Sequence, residues 1–425
     1  MKENIEVTRL SNGLTILTEK MPDVRSATLG FFYRIGSRNE PDELNGISHF
    51  IEHCVFKGTR KRNALEIAIE TDRLGGHFDA FTSHEETAFT IKVVDKQISQ
   101  AFDLIADMLA NPLFDESELQ HEQGVIIEEM KMVEDTPEEL LSEIFSQNFF
   151  PEHPLGLSIA GTPKTVKTFN REATRRFHEE NFCPQNLIIV AAGNVEHTQI
   201  VELAEKFFSK KSKVESRRSK VENPLTKAPI LLKQKRNLEQ THLLIATPFV
   251  EAKSDKRYAA NLLAGVLGGG TSSRLWQKIR EENGLAYAVG ASAVSYNDCG
   301  IFQIFAATSP QNFLQTVDLS MAEIKRIKAE KIPDAELQIA KDQLSASLLL
   351  GLEDSSVRAG NLASCEITHG RQISIEETLQ NIEKVAVEDL RELANEFFQT
   401  ENIALVGLGN FKGVKVERER LDVSI

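Results

Sequence analysis

The 425-residue sequence predicts an α+β fold of two homologous domains, each a mostly antiparallel sheet layered with flanking helices. Three observations lead there. Alternating apolar stretches bounded by turn residues recur between stretches of helical periodicity, and the length exceeds what one ordinary core accommodates. The third is a repeat: Phe182, Asn186 and Gly193-Asn194 frame an apolar strand, and Phe398, Asn402 and Gly409-Asn410 frame a second, each position displaced by 216 residues. Matching framing residues at a near half-length offset point to duplication. The chain is therefore read as domains over 1–210 and 229–425, joined by a linker over 211–228 that is rich in Lys, Ser and Arg and contains Pro224.

Taken in order, residues 6–19 alternate across Asn12-Gly13, a hairpin signal, and 27–34 reads as a further strand. A helix follows at 47–56, stopped by Gly58, and another at 64–74 ends at Gly75-Gly76. Residues 78–83 and 87–94 read as paired strands, and helices are expected at 98–109, at 116–133 and after Pro137. A helix at 171–180 and a strand at 187–192 close the first half. The second half repeats the theme, with strands at 243–248, 286–295 and 301–307, helices at 256–267 and 272–282, and a long helical run over 311–398.

Composition narrows the function. Asp plus Glu number 63 against 49 for Lys plus Arg, a net charge of −14 that excludes a nucleic-acid binder tracking phosphates. No apolar run reaches the roughly 20 residues needed to span a bilayer, and the start lacks the layout of a signal or transit peptide, so no membrane association and a cytoplasmic location are expected. The four cysteines, Cys54, Cys183, Cys299 and Cys365, form no CxxC pair and suit free thiols in a reducing compartment.

The chemistry concentrates in His49-Phe50-Ile51-Glu52-His53. On a helix, imidazoles at i and i+4 share a face and can hold one metal ion, and Glu52 lies beside them. The order His-x-x-Glu-His is the inverted zincin pattern. The chemistry needs two neutral nitrogen ligands, a third ligand from elsewhere and an unligated carboxylate to take a proton from water. The competing reading is an amphipathic helix whose Ile47, Phe50, Ile51 and Val55 pack inward with half-exposed histidines. The helix at 116–133 offers Glu122, Glu128 and Glu129 as third-ligand candidates, with Glu122 and Glu129 on one face.

At this point the sequence resembles the pitrilysin and insulin-degrading-enzyme family, which includes the mitochondrial processing peptidases. The likeness rests on the His49 to His53 motif and on Glu129, which follows His53 by 76 residues with Glu122 seven before it. Asn45-Gly46, Phe56-Lys57-Gly58-Thr59, His153-Pro154-Leu155-Gly156 and Ala160-Gly161-Thr162 are also family-like, and the likeness covers nearly the whole chain. It implies one Zn2+ per chain held by His49, His53 and Glu129, with Glu52 as base, Glu122 as supporting partner and Glu128 a solvated neighbour. The segment from Gly75 to Ser83 is similar to the family's substrate-binding edge strand, which puts Asp79, Ala80, Phe81 and Thr82 against an extended peptide. Asp79 stands where family members usually carry Asn. Arg280 and Tyr287 match the family's Arg and Tyr pair, so the implied catalytic set is Glu52, Glu122, Arg280 and Tyr287.

The expectation is a zinc metalloendopeptidase acting on unfolded or short peptides. Family members are four-domain clamshells, and this chain supplies two domains. The resemblance therefore implies a homodimer, or a heterodimer with a second subunit. The alternative is a non-catalytic scaffold or partner subunit of a heterodimeric peptidase.

Overall fold

The computed structural model describes residues 3–209 and 224–425. Of the expected linker, residues 211–223 lie outside the described residues.

The first half contains β1 (Ile5–Arg9), β2 (Thr15–Lys20), β3 (Ser26–Tyr33), α1 (Ile47–Cys54), α2 (Ala64–Leu74), β4 (His77–Thr82), β5 (Thr87–Val94), α3 (Ile98–Ala110), α4 (Glu116–Asp135), α5 (Pro137–Phe149), the short α6 (Pro163–Val166), α7 (Arg171–Asn181), β6 (Leu187–Gly193) and α8 (His197–Phe208). The hairpin joining β1 and β2 closes at Gly13, whose φ of +92° an L side chain rarely adopts. The second half contains β7 (Ile230–Gln234), β8 (Thr241–Phe249), α9 (Arg257–Gly268), a π-helical stretch at Trp276–Glu281, β9 (Ala286–Ser295), β10 (Gly300–Thr308), α10 (Phe313–Ala329), α11 (Asp334–Gly351), α12 (Ser355–His369), α13 (Ile375–Lys384), α14 (Val387–Phe397) and β11 (Ala404–Gly409).

The strands form a six-stranded sheet in the order β1-β2-β6-β3-β5-β4 and a five-stranded sheet in the order β7-β11-β8-β10-β9. Apart from β1 the two match strand for strand. In each, the repeated apolar strand, β6 or β11, pairs parallel with one neighbour and antiparallel with the other, and the remaining pairs are antiparallel. The duplication read from Asn186 and Asn402 is thus a duplication of topology.

The linear boundaries at 210 and 229 need correcting. The compact units exchange one segment each: 350–372 belongs with the first sheet and 133–156 with the second. The reason lies in β6 and β11, which are apolar on both faces, so both faces must be covered. On β6, Leu187, Ile189 and Ala191 join the core beneath α1 and α3, while Ile188, Val190 and Ala192 meet Ala359, Leu362 and Ala363 of α12. On β11, Leu405 joins the core of α9 and α10, while Ala404, Val406 and Leu408 meet Leu141, Phe145 and Phe149 of α5. Each fully buried Leu or Phe on such a face contributes roughly 1.5–3 kcal/mol. Polar contacts fix α12 further: Arg358 Nε donates to Glu19 Oε2 at 2.6 Å, and Thr28 and Ser355 hydroxyls lie 2.8 Å apart.

His178 of α7 is buried in the first unit, stacked on Phe182 and edge-on to Phe114, with Nε2 2.9 Å from the Leu109 carbonyl. Burial lowers its pKa from 6.5 to about 4. A histidine with a depressed folded pKa stabilises the fold above its unfolded pKa, and that contribution is lost as pH falls through the folded value. Comparing urea midpoints of wild type and His178→Gln between pH 7 and pH 4, the wild type should lose about 3 kcal/mol relative to the variant, mostly below pH 6.5.

Candidate metal centre and substrate strand

The local sequence forces α1 into place. Its inward residues Ile47, Phe50 and Ile51 and, at its C-cap, Val55 are fully buried, as the apolar spacing predicts, and Cys54 joins them in the core. Ahead of the helix, the Glu40 carboxylate accepts hydrogen bonds from the Gly46 and Ser48 amides, both at 2.7 Å. It thereby caps amide groups that have no partner within the helix. Gly46 has a φ of +98°, and a Cβ there would stand 2.5 Å from the Ala160 carbonyl oxygen. Asn45 Nδ2 donates to the Ser158 carbonyl at 3.0 Å. The family-like stretches at Asn45-Gly46 and Ala160-Gly161-Thr162 are thus one close backbone contact that seats the start of α1.

On the partly covered face of α1, the His49 and His53 rings lie 4.7 Å apart. From α4, Glu129 Oε2 stands 3.8 Å from His49 Nε2 and 3.6 Å from His53 Nε2. Two donors held at about 2.0–2.1 Å by a tetrahedral ion stand roughly 3.3 Å apart, so these three groups fit one zinc-sized ion after small adjustments. Burial, helped by the neighbouring His53, lowers the His49 pKa to about 4, which leaves the ring neutral and a lone pair free to bind a metal at neutral pH.

Glu122 lies two turns before Glu129 on the same face of α4 and is buried, whereas Glu129 is half-exposed. Its Oε2 lies 3.2 Å from His53 Nδ1 and its Oε1 2.8 Å from Lys57 Nζ. Burial works to raise the Glu122 pKa, but the bonds to His53 and Lys57 outweigh it and lower it. For His53, burial works to lower the pKa, and the Glu122 bond together with the charges of Glu129 and Glu52 raises it instead. Both shifts describe one charge-assisted contact that turns Nε2 toward Glu129. Lys57 is a member that spacing did not flag, since it lies beyond the end of the helix. Glu128 is exposed and pairs with Lys131, as expected of a solvated neighbour.

Glu52 is 8% exposed and its Oε2 accepts a 2.6 Å hydrogen bond from the Thr82 hydroxyl. Burial raises its pKa; the Thr82 bond opposes that, and Glu129 and Asp79 add to it. Asp79, Ala80, Phe81 and Thr82 all lie on β4, the edge strand of the first sheet. Alternation turns Phe78, Ala80 and Thr82 inward and leaves His77, Asp79 and Phe81 outward.

In the second unit, Arg280 and Tyr287 come together around a turn at Gly284, whose φ is +61°. Arg280 Nη1 donates to the Tyr287 carbonyl at 3.0 Å, and the guanidinium stacks 4.4 Å from the Tyr287 ring and 4.1 Å from the Trp276 ring. The Trp276 contact was not anticipated from sequence. Its signal, an aromatic four residues before Arg280 within the helix expected at 272–282, was present in the sequence. Tyr287 is 76% exposed.

Against known proteins, residues 15–163 match the model of the insulinase family, peptidase family M16, and residues 168–344 match the model of the peptidase M16 inactive domain. An uncharacterized zinc protease of Streptomyces coelicolor is 34% identical over 395 residues, 92% of this chain and 86% of its own. An uncharacterized zinc protease of Bacillus subtilis, YmxG, is 35% identical over 394 residues, 93% of this chain and 95% of its own. The crystal structure of a Helicobacter pylori protease superposes with a TM-score of 0.88 at 25% identity, covering 96% of this chain and 100% of that one. At 20% identity, a chain of complex III2 from Candida albicans shares the fold with a TM-score of 0.85 over 99% of both chains.

Proposed function

Because the chain belongs to the insulinase family of peptidases, M16, we propose that it is a zinc-dependent metalloendopeptidase cleaving unfolded or short peptides, with Glu52 as general base. The observation that supports this best is the meeting of His49, His53 and Glu129 around one point with Glu52 on the same helix. These three side chains would hold one zinc ion per chain. When bound, zinc polarises the scissile carbonyl and acidifies water. Glu52 takes the proton of the attacking water and returns it to the leaving amine. The open edge of β4, from Asp79 to Thr82, receives an extended peptide through main-chain hydrogen bonds. Arg280 and Tyr287 donate to substrate carbonyls, and the Tyr287 phenol meets the oxyanion.

The family likeness supports a homodimer in which the zinc face of one protomer meets the Arg280 and Tyr287 face of its partner; a heterodimer is the variant reading. Among the described residues no helix is long and apolar enough to cross a membrane, and all four cysteines are free, which fits a cytoplasmic enzyme. A non-catalytic scaffold has no need of His49, Glu52, His53, Glu122 and Glu129 together, and all five are present.

The test is metal analysis combined with a peptide-library digest. One zinc per chain, with cleavage abolished by a chelator and by Glu52→Gln, is expected; a metal-free protein, or cleavage indifferent to Glu52→Gln, overturns the reading. Removing the carboxylate that orients His53 should weaken zinc binding about 10–100-fold in Glu122→Gln, measured by competition with a chromophoric chelator.

A further inference from the structure

We infer that Thr82 is the positioning residue of the general base, so that the strand offered to substrate also holds Glu52 in its working orientation; this rests on the peptidase reading above. Thr82 sits at the last position of β4, and its hydroxyl reaches Glu52 Oε2 at 2.6 Å. Spent on that bond, the hydroxyl leaves Glu52 Oε1 as the oxygen available to a water.

The hydroxyl is well anchored. Thr82 pairs with Thr87 across β4 and β5, and the Thr87 side chain, fully buried, donates to the Ile35 carbonyl at 2.8 Å. The adjoining turn is tied by Ser83 Oγ, which accepts from the Glu85 and Glu86 amides at 3.2 and 3.0 Å. A β-branched threonine has few χ1 choices, so the backbone of β4 largely dictates where the oxygen lies. Glu52, by contrast, has a long side chain on a short helix, and without a partner its carboxylate has several rotamers to choose from. Directing that one group is the work the geometry leaves to Thr82.

The role differs from that of a residue contacting peptide. Alternation turns the Thr82 side chain inward, away from the face carrying Asp79 and Phe81, so its hydroxyl serves the base while its backbone serves the edge. Loss of the hydroxyl should therefore lower turnover and spare substrate binding.

The experiment compares wild type, Thr82→Val, which keeps the shape, and Thr82→Ser, which keeps the hydroxyl. Cleavage of a fluorogenic peptide, zinc affinity of each protein, and crystal structures without added zinc are the readouts. Thr82→Val is expected to lose about tenfold in kcat with KM and zinc affinity within twofold of wild type, and its Glu52 side chain to leave the observed rotamer. Thr82→Ser should recover most of the loss. Equal loss in Thr82→Ser and Thr82→Val, an unchanged kcat in Thr82→Val, or an unmoved Glu52 overturns the inference while the peptidase reading stands. Absence of zinc-dependent cleavage by the wild type overturns both.

Discussion

A Glu52→Gln protein will keep its zinc and lose about 10²–10⁴ in kcat, the span that general acid–base catalysis supplies. The amide fills the same volume on α1 and still offers an oxygen to the Thr82 hydroxyl, so helix and hydrogen bond survive. It cannot take a proton from water. Glu52 belongs to neither of the contacts that bring His49, His53 and Glu129 together, so zinc affinity should change little. Its environment also explains why this carboxylate suits the task. Burial, and the nearby charges of Glu129 and Asp79, raise its pKa, making it a better proton acceptor than an exposed glutamate, while Thr82 limits that shift. Zinc content and kcat measured on the same preparation separate loss of the base from loss of the metal. A variant that loses zinc in parallel with activity would place Glu52 in the metal site instead.

Much of this centre is legible in the sequence because local rules position it. His49, Glu52 and His53 sit within one helix, where the 3.6-residue repeat sets their relative directions, and Ile47, Phe50 and Ile51 declare which face is buried. Glu122 and Glu129 also share a helix and, seven residues apart, a face, though in the sequence only family likeness selects Glu129 over Glu128 as the third ligand. Duplication was visible in Asn186 and Asn402, since the repeated strands are continuous in the chain. Contacts set by the tertiary fold had no such signal. Glu40 lies in a polar stretch before Asn45-Gly46, and nothing local says that its carboxylate turns back to cap α1. Lys57 reaches Glu122 from beyond the helix end, and Thr82 reaches Glu52 across from the sheet. The exchange of α5 and α12 was hidden for a related reason. Apolar periodicity shows that a helix has a face to bury, and it does not say which sheet receives it. The buried burden of β6 and β11 on both sides was the available clue, since strands apolar throughout require two covers.

Mixing Glu52→Gln with Arg280→Ala should restore activity that neither variant has alone. In a homodimer completed in trans, each site takes Glu52 from one protomer and Arg280 from the other. Equal mixing with free exchange makes half of the dimers mixed, and in each mixed dimer one site joins an intact zinc face to an intact Arg280 while the other carries both lesions. The recovered activity is thus about a quarter of wild type by the symmetry of the pairing, against a background lowered by two orders of magnitude or more. Arg280→Ala is a suitable partner because the guanidinium acts through its own donors and its stacks on Tyr287 and Trp276, well removed in sequence from every residue that folds the zinc helix. Subunit exchange is followed independently by mixing differently labelled proteins. If labels exchange and activity stays at background, each chain completes its own site or relies on a different subunit. Since one chain carries both the Glu52 set and the Arg280 set, recovery on mixing distinguishes a self-sufficient homodimer from a subunit awaiting a partner.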